Sequence, residues 1–311
     1  MAKLMSKKTK EIVQTTTVLV IIALIIIFYA IYPLIKIPDT VSRPENDKFR
    51  DSEFALPNNQ DFFVQSGLNP DTFAVMTTDN IRLAALQFRP DSSVFDSVRG
   101  AVILLHPDDT DRTAMIEYVQ PLLDSGMTVF LYDQRACGVS GGRFHFGGDY
   151  EGDDLEAFIS DLSIHEKLCL PLYIIGFQIG ADAAIYASLN EQRIHRVIAV
   201  DPYLTTSRWI SMLKSKTGLI SIPLGNMVYF WWFQKFSGFP YGRTGTDDLV
   251  PPETATTIYM SASDADIDEI EKLKEITPAE LLEIKTKPEN PGELKADVLS
   301  HIYADPAKST K

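Results

Sequence analysis

Cysteine and histidine are scarce in this chain, with two of the former and five of the latter in 311 residues. Cys137 and Cys169 allow one disulfide at most. Cys137 follows the end of one expected strand and Cys169 precedes the start of another, which in a parallel sheet puts them at opposite edges, too far apart to bridge. No His/Cys/Asp group has metal-ligand spacing, so neither a metal nor any other cofactor is implied. Basic charge is also short: 29 Lys and Arg stand against 42 Asp and Glu, for a formal net charge of -13. That balance, without a Lys/Arg cluster, excludes nucleic acid as a partner. Internal repeats are absent. What the chain has in quantity is apolar residues, 45% of the total, with 10% aromatics. That suffices for one large core or two modest ones and argues for a folded protein rather than a disordered one.

One stretch lacks charge altogether. No ionisable side chain of Asp, Glu, Lys or Arg occurs from Ile12 to Ile35, and Val18 to Tyr32 is almost continuously Val, Ile, Leu, Ala, Phe and Tyr. About 20 apolar residues cross a bilayer as one helix, and Tyr29 and Tyr32 would suit the headgroup level. The competing reading is a cleaved signal peptide, but the run is long for one and no Ala-x-Ala-like site follows. The expectation is an uncleaved anchor over residues 1–36, with the lipid bilayer as its partner. Lys3, Lys7, Lys8 and Lys10 precede it, whereas Lys36, Arg43, Lys48 and Arg50 follow, mixed with Asp39, Glu45, Asp47 and Asp51. The positive-inside rule then keeps the N-terminus cytoplasmic and the rest outside. Residues 37–69, rich in Pro, Asn, Asp and Ser, read as a linker.

From residue 70 to 311 the pattern changes to strands alternating with helices. Phe73 to Thr78 and Ile81 to Phe88, separated by Asp79-Asn80, form an expected hairpin. Apolar strands follow at Ala101–His106, Met127–Asp133, Leu172–Gly176, Arg196–Asp201 and Thr257–Met260, and Leu281–Lys285 is the best candidate for the last. Helical spacing covers Thr113 to Ser125, Asp153 to Leu162 and Ala181 to Leu189. The fold class expected is α/β, a mainly parallel sheet with helices on both faces.

Gly176-Phe177-Gln178-Ile179-Gly180 sits where a buried strand meets an Ala-rich helix. Its spacing is that of a nucleophile elbow, in which glycines let strand and helix approach closely. An ordinary α/β turn has the same glycines, so the neighbouring segments must decide. Gly100 to Asp133, continuing as Gln134-Arg135-Ala136-Cys137-Gly138-Val139-Ser140-Gly141-Gly142, resembles the α/β-hydrolase superfamily, where a strand ending in His-Gly precedes one ending in Asp-x-Arg-Gly-x-Gly-x-Ser. Asp201-Pro202-Tyr203 is similar to the strand end after the elbow in serine-aminopeptidase-like and dienelactone-hydrolase-like members. The resemblance extends from about Phe73 to at least Asp266.

The resemblance implies a catalytic apparatus that these residues do not fill. The nucleophile position holds Gln178, whose amide cannot form an acyl-enzyme. The oxyanion hole would use the N–H of Ile179 and a second from the loop after His106, where Pro107 has no N–H and Asp108 and Asp109 are acidic. Asp264 and Asp266 match the acid position, or are solvated loop charges. No histidine follows the expected last strand directly; His301 is either a remnant general base or a solvated helix residue. His106, His145, His165 and His195 fit structural or surface roles, as does Cys137. A cap insertion is expected over about 204–245. Its aromatic run Ile220–Phe239 is a helix packed on the sheet, a roof over an apolar pocket, or a face dipping into the bilayer.

Three functions remain open. The first is a membrane-anchored, catalytically inactive protein that binds an apolar small molecule or a protein. The second is an esterase or peptidase-like enzyme with an unrecognised nucleophile, and the third a transporter accessory or envelope structural protein.

Overall fold

Short Val-, Ile- and Leu-rich runs bounded by turn residues form one eight-stranded sheet. The computed structural model describes residues 7–41, 66–108, 110–205, 208–209, 211–212, 215, 254–260 and 267–303. The strands are β1 (Asp71–Met76), β2 (Arg82–Phe88), β3 (Gly100–Leu105), β4 (Met127–Tyr132), β5 (Leu172–Phe177), β6 (Ile194–Val200), β7 (Thr256–Met260) and β8 (Leu282–Thr286). Their spatial order is β1-β2-β4-β3-β5-β6-β7-β8. β1 and β2 form the expected hairpin, closed by the Thr77 N–H on the Ile81 carbonyl (2.9 Å) with Asn80 at φ 63°. β2 runs antiparallel to β4, and all later pairings are parallel.

Side-chain alternation splits the core in two. Ala101, Ile103 and Leu105 point to one face, Val102 and Leu104 to the other, and all five are fully buried. Burial on both faces is why these strands are continuously apolar rather than alternating. The first face is covered by α3 (Asp149–Ile164) through Leu155, Phe158, Ile159 and Leu162, by α4 (Ile179–Ala187), and by Leu273 of α5 (Ile267–Ile276). The second is covered by α2 (Ile116–Asp124) through Tyr118, Val119 and Leu122, and by α6 (Pro291–Tyr303) through Leu294, Val298, Leu299 and Ile302.

The turn after β4 is organised around one buried carboxylate. Asp133 accepts the Arg112 N–H (3.0 Å) and the Val139 N–H (2.9 Å), and the Arg112 guanidinium lies 3.5 Å from it. Ser140 donates its hydroxyl to the Asp133 carbonyl and accepts the Ala84 N–H, so the turn is tied to β2 as well. Gly138 holds φ 45° here, and a Cβ at that position would fall on the Asp133 carboxylate. Beside the turn, Arg135 binds Asp154 of α3 in a buried bidentate pair at 2.6 and 2.7 Å. The Asp-x-Arg-x-x-Gly-x-Ser pattern is therefore a set of internal ties. Cys137 and Cys169 are both free thiols, and they flank β4 and β5 as the sequence indicated.

α1 (Lys7–Val41) is a 35-residue helix, described by itself. Its segment Lys10–Phe28 has a mean hydropathy of 2.4 and is unburied, so by length and composition it is able to cross a membrane. Thr15 and Thr17 return their hydroxyls to the carbonyls of Glu11 and Val13, which satisfies both donors within the helix. The helix runs to Val41, past the expected boundary at residue 36. α3 likewise starts before the expected Asp153, because Glu151 accepts the N–H groups of Phe146 and Gly148 (2.9 Å each) and so caps an earlier turn. Most of the expected cap, including the aromatic run Ile220–Phe239, lies outside the described residues, as do Asp264 and Asp266.

Gly138→Ala is expected to destabilise the protein by about 3 kcal/mol, from backbone strain and collision with Asp133. Urea unfolding of the full chain in detergent measures this; Gly292→Ala in α6, where an added Cβ would meet only the side-chain oxygen of exposed Asn290 at 3.3 Å, is expected to change stability by less than about 1 kcal/mol.

Candidate functional site

The junction of β5 and α4 is a strained turn. Gln178 has φ 50° and ψ -118°, a combination that side chains other than glycine rarely adopt. The surroundings hold it there. Its N–H donates to the Val200 carbonyl at 2.8 Å, and its carbonyl accepts the N–H groups of Ala181 (2.9 Å) and Asp182 (3.1 Å). A Cβ on Gly176 would land on the Gly180 carbonyl, and one on Gly180 would stand 2.7 Å from the Leu105 Cβ and 2.9 Å from the His106 oxygen. Both glycines are needed for α4 to lie against the ends of β5 and β3, which is the geometry of a nucleophile elbow. Ile179, the first residue of α4, is buried.

The loop after β3 is folded onto itself. The Pro107 carbonyl accepts from the Thr110 hydroxyl (2.8 Å) and from His106 Nδ1 (2.8 Å). The backbone N–H of Gln134 donates to His106 Nε2 at 3.0 Å. A backbone N–H can only donate, so that nitrogen carries the lone pair and the proton sits on Nδ1. The Gln134 side chain returns a 2.6 Å bond to the His106 carbonyl. His106 is thus a neutral structural clasp between the ends of β3 and β4.

The next residue of that loop reaches across the elbow. Asp108 Oδ2 accepts from the Tyr203 hydroxyl at 2.6 Å. The N–H groups of Tyr203 and Leu204 bind the carboxylate of Asp182, in the first turn of α4, at 2.8 Å each. Burial pushes Asp182 up to about 8, while those two donors act in the opposite sense. Since β5 lies between β3 and β6, the Asp108–Tyr203 bond joins the loops on either side of Gln178.

At the end of β6, Asp201 has φ 50° and forms an ion pair with Lys287, the first residue after β8. The Lys287 N–H binds the Met260 carbonyl at 2.8 Å, fixing that backbone to β7. His301 lies instead in the last turn of α6. Its Nε2 is 2.9 Å from the Tyr259 hydroxyl and 3.2 Å from Lys285 Nζ. Burial and the Lys285 charge lower its pKa. Tyr259 belongs to the core face covered by α6, and His301 has no bond to Gln178 among its described contacts. The residue that sequence reasoning missed is Lys287. Its position after the last strand was readable, but its partner, 86 residues away, was not. No group of His, Cys, Asp and Glu able to hold a metal occurs among the described residues.

No family model and no curated protein matches the chain. Solved structures do. An esterase from Pyrococcus furiosus superposes with a TM-score of 0.58 at 21% identity, covering 85% of this chain and 98% of that one. An esterase from Exiguobacterium antarcticum gives 0.53 at 14% identity, covering 75% and 99%. A member of the α/β serine hydrolases without a lid, from Xanthomonas campestris, gives 0.51 at 16% identity, covering 76% and 94%. Likeness at these identities is likeness of fold: the chain has the α/β-hydrolase fold, with a mostly parallel eight-stranded sheet and an additional apolar N-terminal helix.

Replacing Gln178 with glycine relieves the backbone strain without touching the core. Gln178→Gly is expected to raise the unfolding free energy by about 1 kcal/mol, readable as a higher urea midpoint at unchanged m-value.

Proposed function

We propose that this is a membrane-anchored protein in which the α/β-hydrolase fold has lost hydrolysis at the elbow and serves to bind an apolar small molecule or a protein. The observation that carries this reading is the amide of Gln178 at the strained turn. A primary amide has no ionisable nucleophilic atom, so an acyl-enzyme cannot form through it.

Two further features support the reading. Pro107 offers no N–H to a developing oxyanion, and its carbonyl is already engaged by Thr110 and His106. The residue after β8 is Lys287, where the resemblance implies a histidine. Its side chain is taken up by the ion pair with Asp201, and it supplies no imidazole to act as general base. Residues 287–300 contain no histidine, so neither Asp264 nor Asp266 has an imidazole there to orient. α1 supplies the anchor. With Lys3, Lys7, Lys8 and Lys10 before it, the N-terminus is placed in the cytoplasm and the sheet domain outside.

In detergent, the full chain is expected to hydrolyse short-chain p-nitrophenyl esters no faster than buffer and to form no adduct with a fluorophosphonate. Stoichiometric labelling at any residue would overturn the reading in favour of a hydrolase with its nucleophile elsewhere. Gln178→Ser alone is expected to remain at least about 10³-fold below a complete triad, since it still lacks a base. Steady-state ester hydrolysis measures this, with buffer as the reference. A chain lacking residues 1–41 is expected to leave membranes on alkaline carbonate extraction, while the full chain stays with the pellet.

A further inference from the structure

Away from the elbow, the loop after β4 and the head of α3 bring together a thiol, an imidazole and a carboxylate. Cys137 Sγ lies 3.3 Å from His145 Nε2. The other ring nitrogen of His145, Nδ1, faces Glu151 Oε1 at 3.7 Å. Glu151 is completely buried and held by the N–H groups of Phe146 and Gly148. Its position is therefore set by the backbone of the loop that carries His145. Cys137 is equally fixed, its N–H bonded to the Gln134 carbonyl and its carbonyl to the Ser140 N–H (3.0 Å each). The order thiol, imidazole, carboxylate is that of an activated nucleophile with an oriented base.

The charges around the sulfur favour its ionised form. Glu151, an anion with two N–H donors, favours a cationic His145, and a cationic His145 favours a thiolate at Cys137. Burial pushes the Cys137 thiol up, but the His145 imidazole 3.3 Å away acts against it and holds the thiol below its ordinary range. His106 has both ring nitrogens engaged, by Gln134 and Pro107, which leaves His145 as the group that takes the thiol proton. Asp133 lies beyond His106, and Arg135, paired with Asp154, faces Glu151. Cys169 is the internal contrast. It is more exposed, burial raises its pKa, and its described hydrogen bond is a long 4.0 Å contact to the Lys167 carbonyl.

We propose that Cys137, with His145 and Glu151, is a site of modification by small hydroperoxides. Two observations select this reagent class. Cys137 is only 6% exposed, which favours a small reagent over a bulky one. The imidazolium beside it stands where a leaving oxygen would need a proton. In the reaction the thiolate attacks one peroxide oxygen, the S–O bond forms and the O–O bond breaks. The departing oxygen takes the proton from His145 to become water or an alcohol. Sulfur is oxidised by two electrons to the sulfenic acid, the peroxide is reduced, and His145 returns neutral. Cys169 stands at the opposite edge of the sheet, so no internal disulfide consumes the product and an external thiol must reduce it.

The test is timed hydrogen peroxide treatment of the full chain in detergent at pH 7, quenched into denaturant containing dimedone so that the trap reaches both cysteines equally, with peptide mass spectrometry at each. Cys137 is expected to be trapped at least tenfold faster than Cys169 despite its lower exposure. Its rate is expected to rise with pH through a midpoint below 9, whereas that of Cys169 is still rising above pH 9. His145→Gln is expected to slow Cys137 at least tenfold at pH 7 and leave Cys169 unchanged. Equal trapping of the two cysteines, or a Cys137 midpoint at or above 9, overturns the proposal, and the wild-type pH profile decides it even if the His145 variant fails to fold.

Discussion

The positive φ of Gln178 is the constraint on which the C-terminal edge of the sheet depends. α4 can begin directly at the end of β5 only if the chain reverses within one residue. The reversal brings Gly180 against Leu105 and His106, at distances that exclude any side chain there. Strain of this kind costs on the order of 1–3 kcal/mol and persists only where the surroundings over-determine it. Here they do: three backbone hydrogen bonds and a strand buried from Leu172 to Gly176 hold the turn. The strained elbow is consequently a condition of the fold, and its presence carries no argument that the residue at its apex reacts.

Other strand ends around the elbow are occupied by bonds among themselves. Asp108 is spent on Tyr203, Asp182 on the backbone of the same loop, Asp201 on Lys287, and His106 on Gln134 and Pro107. On the reading proposed above, these bonds keep the groups from a hydrolytic reaction, which needs donors open toward a developing oxyanion and a neutral base able to take a proton. The bonds observed satisfy polar groups that would otherwise be buried without partners, which stabilises the edge as a surface. If the fold serves binding as proposed, a tether to the bilayer would confine it to partners within reach of the membrane.

The sequence exposed the sheet because burial on both faces writes itself as uninterrupted apolar strands, and Leu172–Phe177 and Met127–Tyr132 could be read at nearly their observed limits. Glycine spacing exposed the elbow, since Gly176 and Gly180 answer a steric demand that no other residue meets. Charges were less legible. Whether Lys287 is a solvated side chain or the partner of Asp201 depends on the register of β6, β7 and β8, which no local pattern encodes. His301 was open to two readings because its helix, α6, lies after the position where the resemblance implies a histidine; its bonds to Tyr259 and Lys285 tie it to the sheet face beneath. The capping of α3 by Glu151 was hidden for a similar reason, since a buried glutamate in a run of acidic residues looks like surface.

That same glutamate links two buried clusters through one short segment. Residues 143–150 carry His145 toward Cys137 and place Phe146 and Tyr150 on the Arg135 guanidinium, at 5.4 and 5.1 Å from their ring centroids. Arg135 is fixed by Asp154 and, through Asp79, by the β1–β2 turn. An isolated buried cation or anion here would be strongly unfavourable, so each member of the group depends on the others being in place. Glu151 serves the segment twice, as the cap that starts α3 early and as the anion that holds His145 toward its charged form. The electrostatic state of the thiol is thereby coupled to the position of a helix start, although the thiol itself is carried on a loop.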